Sequence, residues 1–106
     1  MSFSVTLLSA STTVPDTSSY VALQPGRYKI AVSFASSETA ARIAINEKEG
    51  SGDARVVSKS GAAVALSEAD PAVEYACGGE SISVTRTSGS VAATVTATRI
   101  EQGSGS

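Results

Sequence analysis

The chain has 106 residues, a formal net charge of −2 and a sequence pI near 5.0, which fits one domain and leaves no room for a second independent core. Its eight Lys and Arg are scattered, so partners held by bulk electrostatics, such as nucleic acid or an anionic membrane surface, are excluded. Histidine is absent and Cys77 is the one cysteine, which removes Ser-His and Cys-His nucleophiles, zinc sites built from several Cys or His, and any intrachain disulfide.

A domain of this length hides roughly two-thirds of the surface of its unfolded chain and folds without metal or disulfide staples. Its core must use modest pieces, because there are two Phe, three Tyr, one Met and no Trp, while Ala, Ser and Thr are abundant. Small side chains give thin, closely approaching sheets with little apolar area per residue, and stabilisation through subunit contacts is the expectation that follows. The N-terminal residues lack the basic flank and apolar run of a signal peptide, and no run of about 18 apolar residues occurs, so neither secretion nor membrane anchoring is expected.

Nearly every apolar stretch alternates with period 2, the mark of strands. In chain order, Phe3, Val5 and Leu7 share one face of a first strand. The Ser/Thr-rich residues 9–19 follow, with a Pro15-Asp16 turn signal, so residues 1–19 read as a strand plus a flexible arm. Residues 19–23 form a short strand ended by Gln24-Pro25-Gly26. Residues 28–34 are the clearest strand, with Tyr28, Ile30, Val32 and Phe34 inward and Lys29 and Ser33 outward. It pairs as a long-looped hairpin with residues 41–48, where Ile43 and Ile45 alternate with Arg42, Ala44 and Asn46. The turn cluster at residues 49–53 leads to short strands at 54–58 and 62–66, and residues 67–71 hold at most one helical turn before Pro71. Val73, Tyr75 and Cys77 alternate in the next strand, ended by Gly78-Gly79. Residues 81–87 and 91–100 read as a second hairpin about Ser88-Gly89-Ser90, with Val91, Ala93, Val95 and Ala97 on one face and Thr94, Thr96 and Thr98 on the other. The first hairpin faintly echoes in the second, Gly26 to Val32 against Gly79 to Val84. The whole reads as all-β: one β-sandwich or jelly roll of about eight short antiparallel strands over residues 1–102, with 103–106 a linker or tag remnant.

The candidate chemistries are few. The carboxylates Glu47, Glu49, Asp53, Glu68, Asp70, Glu74 and Glu80 lie beside turns, where acidic side chains are normally solvated, and a glycosidase pair among them is the minor reading. Glu47, Glu49 and Asp53 with Gly50 and Gly52 offer oxygen ligands for calcium as a second minor reading, but lack the spacing of a twelve-residue calcium loop. No phosphate-cradling glycine loop occurs. Tyr28 and Tyr75 fall on inward faces and read as core aromatics with a hydroxyl at the edge, and Cys77 reads as a small buried hydrophobe. The Thr94, Thr96, Thr98 face is either a solvated outer face or a flat, lightly polar subunit contact. No catalytic residue, cofactor or metal ligand is expected, so the chain reads as a binding and assembling protein and not as an enzyme.

The segments Pro25-Gly26-Arg27-Tyr28-Lys29-Ile30-Ala31-Val32, residues 41–47, Gly79-Glu80-Ser81-Ile82-Ser83-Val84 and Ala97-Thr98-Arg99-Ile100 resemble small structural proteins of tailed-phage virions, over about three-quarters of the chain. Residues 49–54 depart from that pattern in carrying no aromatic. The resemblance implies a capsid decoration, or cement, protein: a homotrimer, or less often another oligomer, that binds the major capsid protein on the outer head surface of the virion, assembled in the host cytoplasm and reaching along the lattice with a terminal arm. Phe3, Val5, Leu7, Val14 and Pro15 are then the expected capsid or subunit contacts. The alternative is a carbohydrate- or receptor-binding β-sandwich module of a phage tail or cell surface.

Overall fold

Apolar side chains on alternate positions of a small chain bury most readily when two sheets close face to face, and the computed structural model describes such a sandwich for residues 3–59 and 61–100. Twelve strand segments follow in chain order: β1 Ser4–Ser11, β2 Asp16–Thr17, β3 Val21–Ala22, β4 Gly26–Phe34, β5 Arg42–Lys48, β6 Arg55–Val56, β7 Ser58–Lys59, β8 Ala62–Ala63, β9 Ala65–Leu66, β10 Ala72–Cys77, β11 Ser81–Ser88 and β12 Ala93–Arg99. No helix occurs among the described residues. One sheet runs β1-β12-β4-β10. The other is built on the β11-β5 pair, with β2 and β3 along the far side of β11 and β6 and β9 along the far side of β5. All pairings are antiparallel, and β7 and β8 form a small separate ribbon. The 103–106 linker reading lies outside the described residues.

The core is the meeting of the two inward faces. Tyr28, Ile30 and Val32 of β4 and Ala93, Val95 and Ala97 of β12 come from the first sheet, and Ile43, Ile45, Ile82, Val84 and Leu66 from the second. Each fully buried Ile, Leu or Val stabilises the fold by about 1.5–3 kcal/mol relative to its exposed state. Outward residues alternate with these, Thr94, Thr96 and Thr98 among them. Residues 4–11, expected to be partly arm, are instead a full-length strand. β1 pairs with β12 and carries both Leu7 and Leu8 into the core, because register shifts between Thr6 and Leu8 and between Leu8 and Ser11 let two consecutive side chains turn inward. The chain then crosses to the second sheet at β2.

Neither expected hairpin forms. β4 and β5 lie in different sheets, as do β11 and β12; β4 pairs with β12 from Tyr28↔Arg99 to Phe34↔Ala93, and β5 pairs with β11 from Lys48↔Ser81 to Ile43↔Arg86. Each expected hairpin is therefore an arch across the core, and the two arches stack strand on strand. The same alternation serves a hairpin or an arch, but only an arch lets Ile30 and Val32 bury against Ile43 and Ile45 within so thin a protein. The echo between the two segments corresponds to this exchange, since swapping the arches preserves both strand pairings.

A single ion pair joins the two arch corners. Arg86 lies on the inward face of β11 after Ile82 and Val84 and has 0% exposure. Its guanidinium donates to the carbonyl oxygens of Ser11 and, at 3.2 Å, Ser88, and its Nη2 donates to Glu38 Oε1 at 2.9 Å. Glu38 belongs to the first corner and reaches over the second, where its carboxylate accepts the backbone N–H of Ser90 at 2.8 Å and of Val91 at 2.8 Å. These backbone N–H groups, with the Arg86 charge behind them, hold the Glu38 carboxyl below its ordinary 4.5. Gly89 is required where the groups converge, since its φ is +98° and an added Cβ would stand 2.7 Å from both Ala41 Cβ and Glu38 Oε1.

Gly89→Ala is expected to cost about 2 kcal/mol or more in urea unfolding. Gly50→Ala, with φ +54° but nothing within 4 Å, carries backbone strain alone and costs about 1 kcal/mol. Equal costs would mean that the corner has room to give.

Candidate interaction surfaces and the polar cluster at the opposite end

The end of the sandwich remote from the arch corners is also closed by polar groups. Glu47 continues the inward series Ile43, Ile45 on β5, Glu80 precedes Ile82, and Tyr75 stands inward on β10 of the facing sheet. The Tyr75 hydroxyl lies 2.6 Å from Glu47 Oε1 and 2.5 Å from Glu80 Oε2, so one phenolic proton serves two carboxylates and ties the sheets together. Arg55 of β6 donates to Glu47 Oε2 at 2.9 Å and lies 3.5 Å from Glu49, while Gly78 N–H donates to Glu80 Oε1 at 2.8 Å. Burial, followed by the two carboxylates, pushes the Tyr75 phenol far above its ordinary 10. The Tyr75 hydroxyl in turn holds the Glu80 carboxyl below its ordinary 4.5. Both carboxylates are thus occupied by Tyr75 from the core side. Glu47, Glu49 and Asp53 do not converge, and no cluster of three metal-ligating side chains occurs among the described residues.

Near this same end a pocket of about 300 Å³ is lined by Phe3, Ala22, Gln24, Tyr28 and Arg99. Phe3 stands edge-on to Tyr28, with ring centroids 6.3 Å apart at 81°, and is 47% exposed. Tyr28 donates its hydroxyl proton to the Gln24 carbonyl at 2.8 Å, and Arg99 donates to the Pro25 carbonyl at 3.2 Å. The backbone can lie this close to the guanidinium because Gly26 has no Cβ, which would stand 3.0 Å from Arg99 Nη2.

The other expected contact residues are dispersed. Val5 is half-buried against the core and Leu7 lies within it, whereas Val14 and Pro15 are exposed at the corner between β1 and β2. Roughly 20 Å or more of strand separates that corner from Phe3, so the five residues do not form one patch. Cys77 is a free, buried cysteine whose sulfur receives the Gly79 N–H at 3.4 Å.

The outer face of the first sheet spans four paired strands. Across it run the rows Thr6, Thr96, Ala31, Ala72 and Ser4, Thr98, Lys29, Glu74, small and uncharged in the first and mixed in the second. Sequence reasoning found the threonines of this face but missed Arg86, Glu38 and the Tyr75 cluster. For Arg86, Glu47 and Glu80 a signal existed: Arg86 and Glu47 fall on the inward parity of their strands and Glu80 on that of β11 one residue before it begins, which obliges a polar partner. Glu38 lies in a loop without periodicity and left no such signal.

Comparison with known proteins finds no matching family model, no matching curated protein and no matching solved structure.

Tyr75→Phe removes the hydroxyl that lowers Glu80. A carboxyl depressed in the fold stabilises it above 4.5 and loses that contribution as pH falls through its lower folded value. The stability difference between wild type and Tyr75→Phe is therefore expected to be largest near neutrality and to shrink from about pH 5 to about pH 3. Parallel acid limbs in urea unfolding would show that Tyr75 does not set the Glu80 carboxyl.

Proposed function

We propose that this β-sandwich is a non-enzymatic assembly protein of the capsid-decoration type, which associates with itself and docks on the outer surface of a virion head. The observation that carries the reading is the division of polar chemistry between interior and surface. The buried Arg86 and the Tyr75 hydroxyl are spent on closing the two ends of the core. The outer sheet face instead offers Thr, Ser and Ala in flat rows that a second protein surface can approach closely. Such contacts are individually weak, and repetition over a symmetric shell multiplies them. The absence of histidine from the chain and the sequence resemblance to small virion proteins point the same way.

The test is addition of the protein to heads assembled from the capsid protein of the same source. Saturable binding with a raised head-disruption temperature is expected. Heads that disrupt at the same temperature under saturating protein would remove the reading.

A second reading, a carbohydrate- or receptor-binding module, is favoured by the pocket between Phe3 and Arg99, which joins an exposed ring to hydrogen-bond donors. A glycan array separates the two: reproducible sugar binding that Arg99→Ala abolishes would favour the module over the decoration protein.

A further inference from the structure

The sandwich has four outer strand edges, and three of them are broken. β1 carries two register shifts and a positive φ of 48° at Ala10. The outer edge of β11 is covered by the two-residue pieces β2 and β3, and that of β5 by the equally short β6 and β9, between which the β7-β8 ribbon projects. Short, bulged or interrupted strands are the means by which a sheet protein prevents pairing with other chains. The fourth edge has none of them. β10 pairs with β4 through six consecutive residues, Ala72↔Ala31 to Cys77↔Gly26, without a register shift, and contains neither proline nor lysine. Its one charge, Glu74, is already ion-paired with Arg27 on the outward face. No other strand pairs with it among the described residues.

We propose that the outer edge of β10 pairs antiparallel with β10 of a second copy about a two-fold axis through Tyr75, joining two four-stranded sheets into one of eight. The axis position follows from side-chain parity and charge. Residues directly opposed across an antiparallel pair point to the same face, so an axis through a residue of β10 keeps the inward and outward faces in register. An axis through Glu74 would set the two Glu74 carboxylates against each other. An axis through Tyr75 sets Glu74 against Ala76 of the second copy, beyond which lies that copy's Arg27, the cross-strand neighbour of Ala76. Each Glu74 then stands between cations instead of against an anion. The edge has room for the ends of the partner strand. A groove of about 290 Å³ runs beside Ala72 and Val73 with Ala62–Leu66 as its other wall, and in this register the second copy's Gly78-Gly79, which have no side chains, enter it. The contact is isologous and closes at two subunits, not at the three implied by the virion resemblance.

This inference rests on the assembly reading only in taking self-association as part of the function; a protein that stabilises heads as a monomer would keep that reading and lose this one. The test is solution mass by light scattering coupled to size exclusion, across micromolar to near-millimolar concentrations, on wild type, Ala76→Glu and Ala76→Lys. Wild type is expected to be a dimer. Ala76→Glu sets a carboxylate against the second copy's Glu74 and is expected to weaken the dimer roughly tenfold, because the repulsion occurs twice about the axis. Within its own chain the new carboxylate lies beside Arg27, so its unfolding midpoint should match wild type at concentrations dilute enough for both to be monomers. Ala76→Lys opposes Glu74 with a cation and is expected to tighten the dimer. The opposite signs keep the test informative if either variant folds poorly. A wild-type monomer throughout the range, a trimer, or a dimer indifferent to both substitutions would overturn the proposal.

Discussion

A guanidinium with no solvent exposure must find all its partners inside the protein, and here it finds them where the chain changes sheet. Arg86 is held by two backbone carbonyls from the β1 end and the β11 corner and by Glu38 from the other corner, while Glu38 also binds two N–H groups of the corner it crosses. The arrangement exists only if both chain reversals are arches placed at the same end and stacked on each other. An isolated hairpin would leave the arginine in the core without an anion, at a desolvation cost of several kcal/mol. The ion pair therefore favours the topology in which β4 pairs with β12 and β5 with β11, the same one in which the apolar faces of the two sheets meet.

The other end of the core is closed by different chemistry to the same effect. Tyr75 reaches from one sheet to Glu47 and Glu80 on the other, and the carboxylates are turned outward only toward Arg55 and the Gly78 N–H. Between these two plugs the interior is Ile, Val, Leu and Ala, packed thinly enough for the sheets to be tied together at both ends by single side chains. With the buried polar groups so committed, the surfaces open to a partner are a Thr-bearing sheet face, an aromatic and arginine pocket beside Phe3, and the edge of β10 that no other described strand covers.

These surfaces differ in how they limit association. A flat polar face with few aromatics makes weak contacts whose strength comes from repetition, as in a shell. A strand edge forms backbone hydrogen bonds that are indifferent to side chain, and so needs charge to fix its register. Glu74 and Arg27 supply that charge on the one edge that bulges and short strands do not guard.

The sequence by itself determined the all-β class and the faces of the longer strands. Alternation on residues 28–34, 41–48 and 91–100 put Ile30, Ile43 and Val95 inside and Thr94, Thr96 and Thr98 outside, because a side chain's face along an extended backbone is set by parity alone. Parity also marks Arg86 and Glu47, and Glu80 just ahead of β11, as inward. What the tertiary structure alone decided was which strands pair and how far they run: two apparent hairpins became arches, the first strand ran on through residues 9–11 of the expected arm, and the expected contact residues were spread from Phe3 before β1, through Val5 and Leu7 within it, to Val14 and Pro15 beyond it. The physical reason is that local pattern fixes where a residue points but not what stands opposite it. Groups distant in sequence meet only through the pairing of the strands: the buried Arg86 finds Glu38, and the buried Tyr75 finds Glu47 and Glu80.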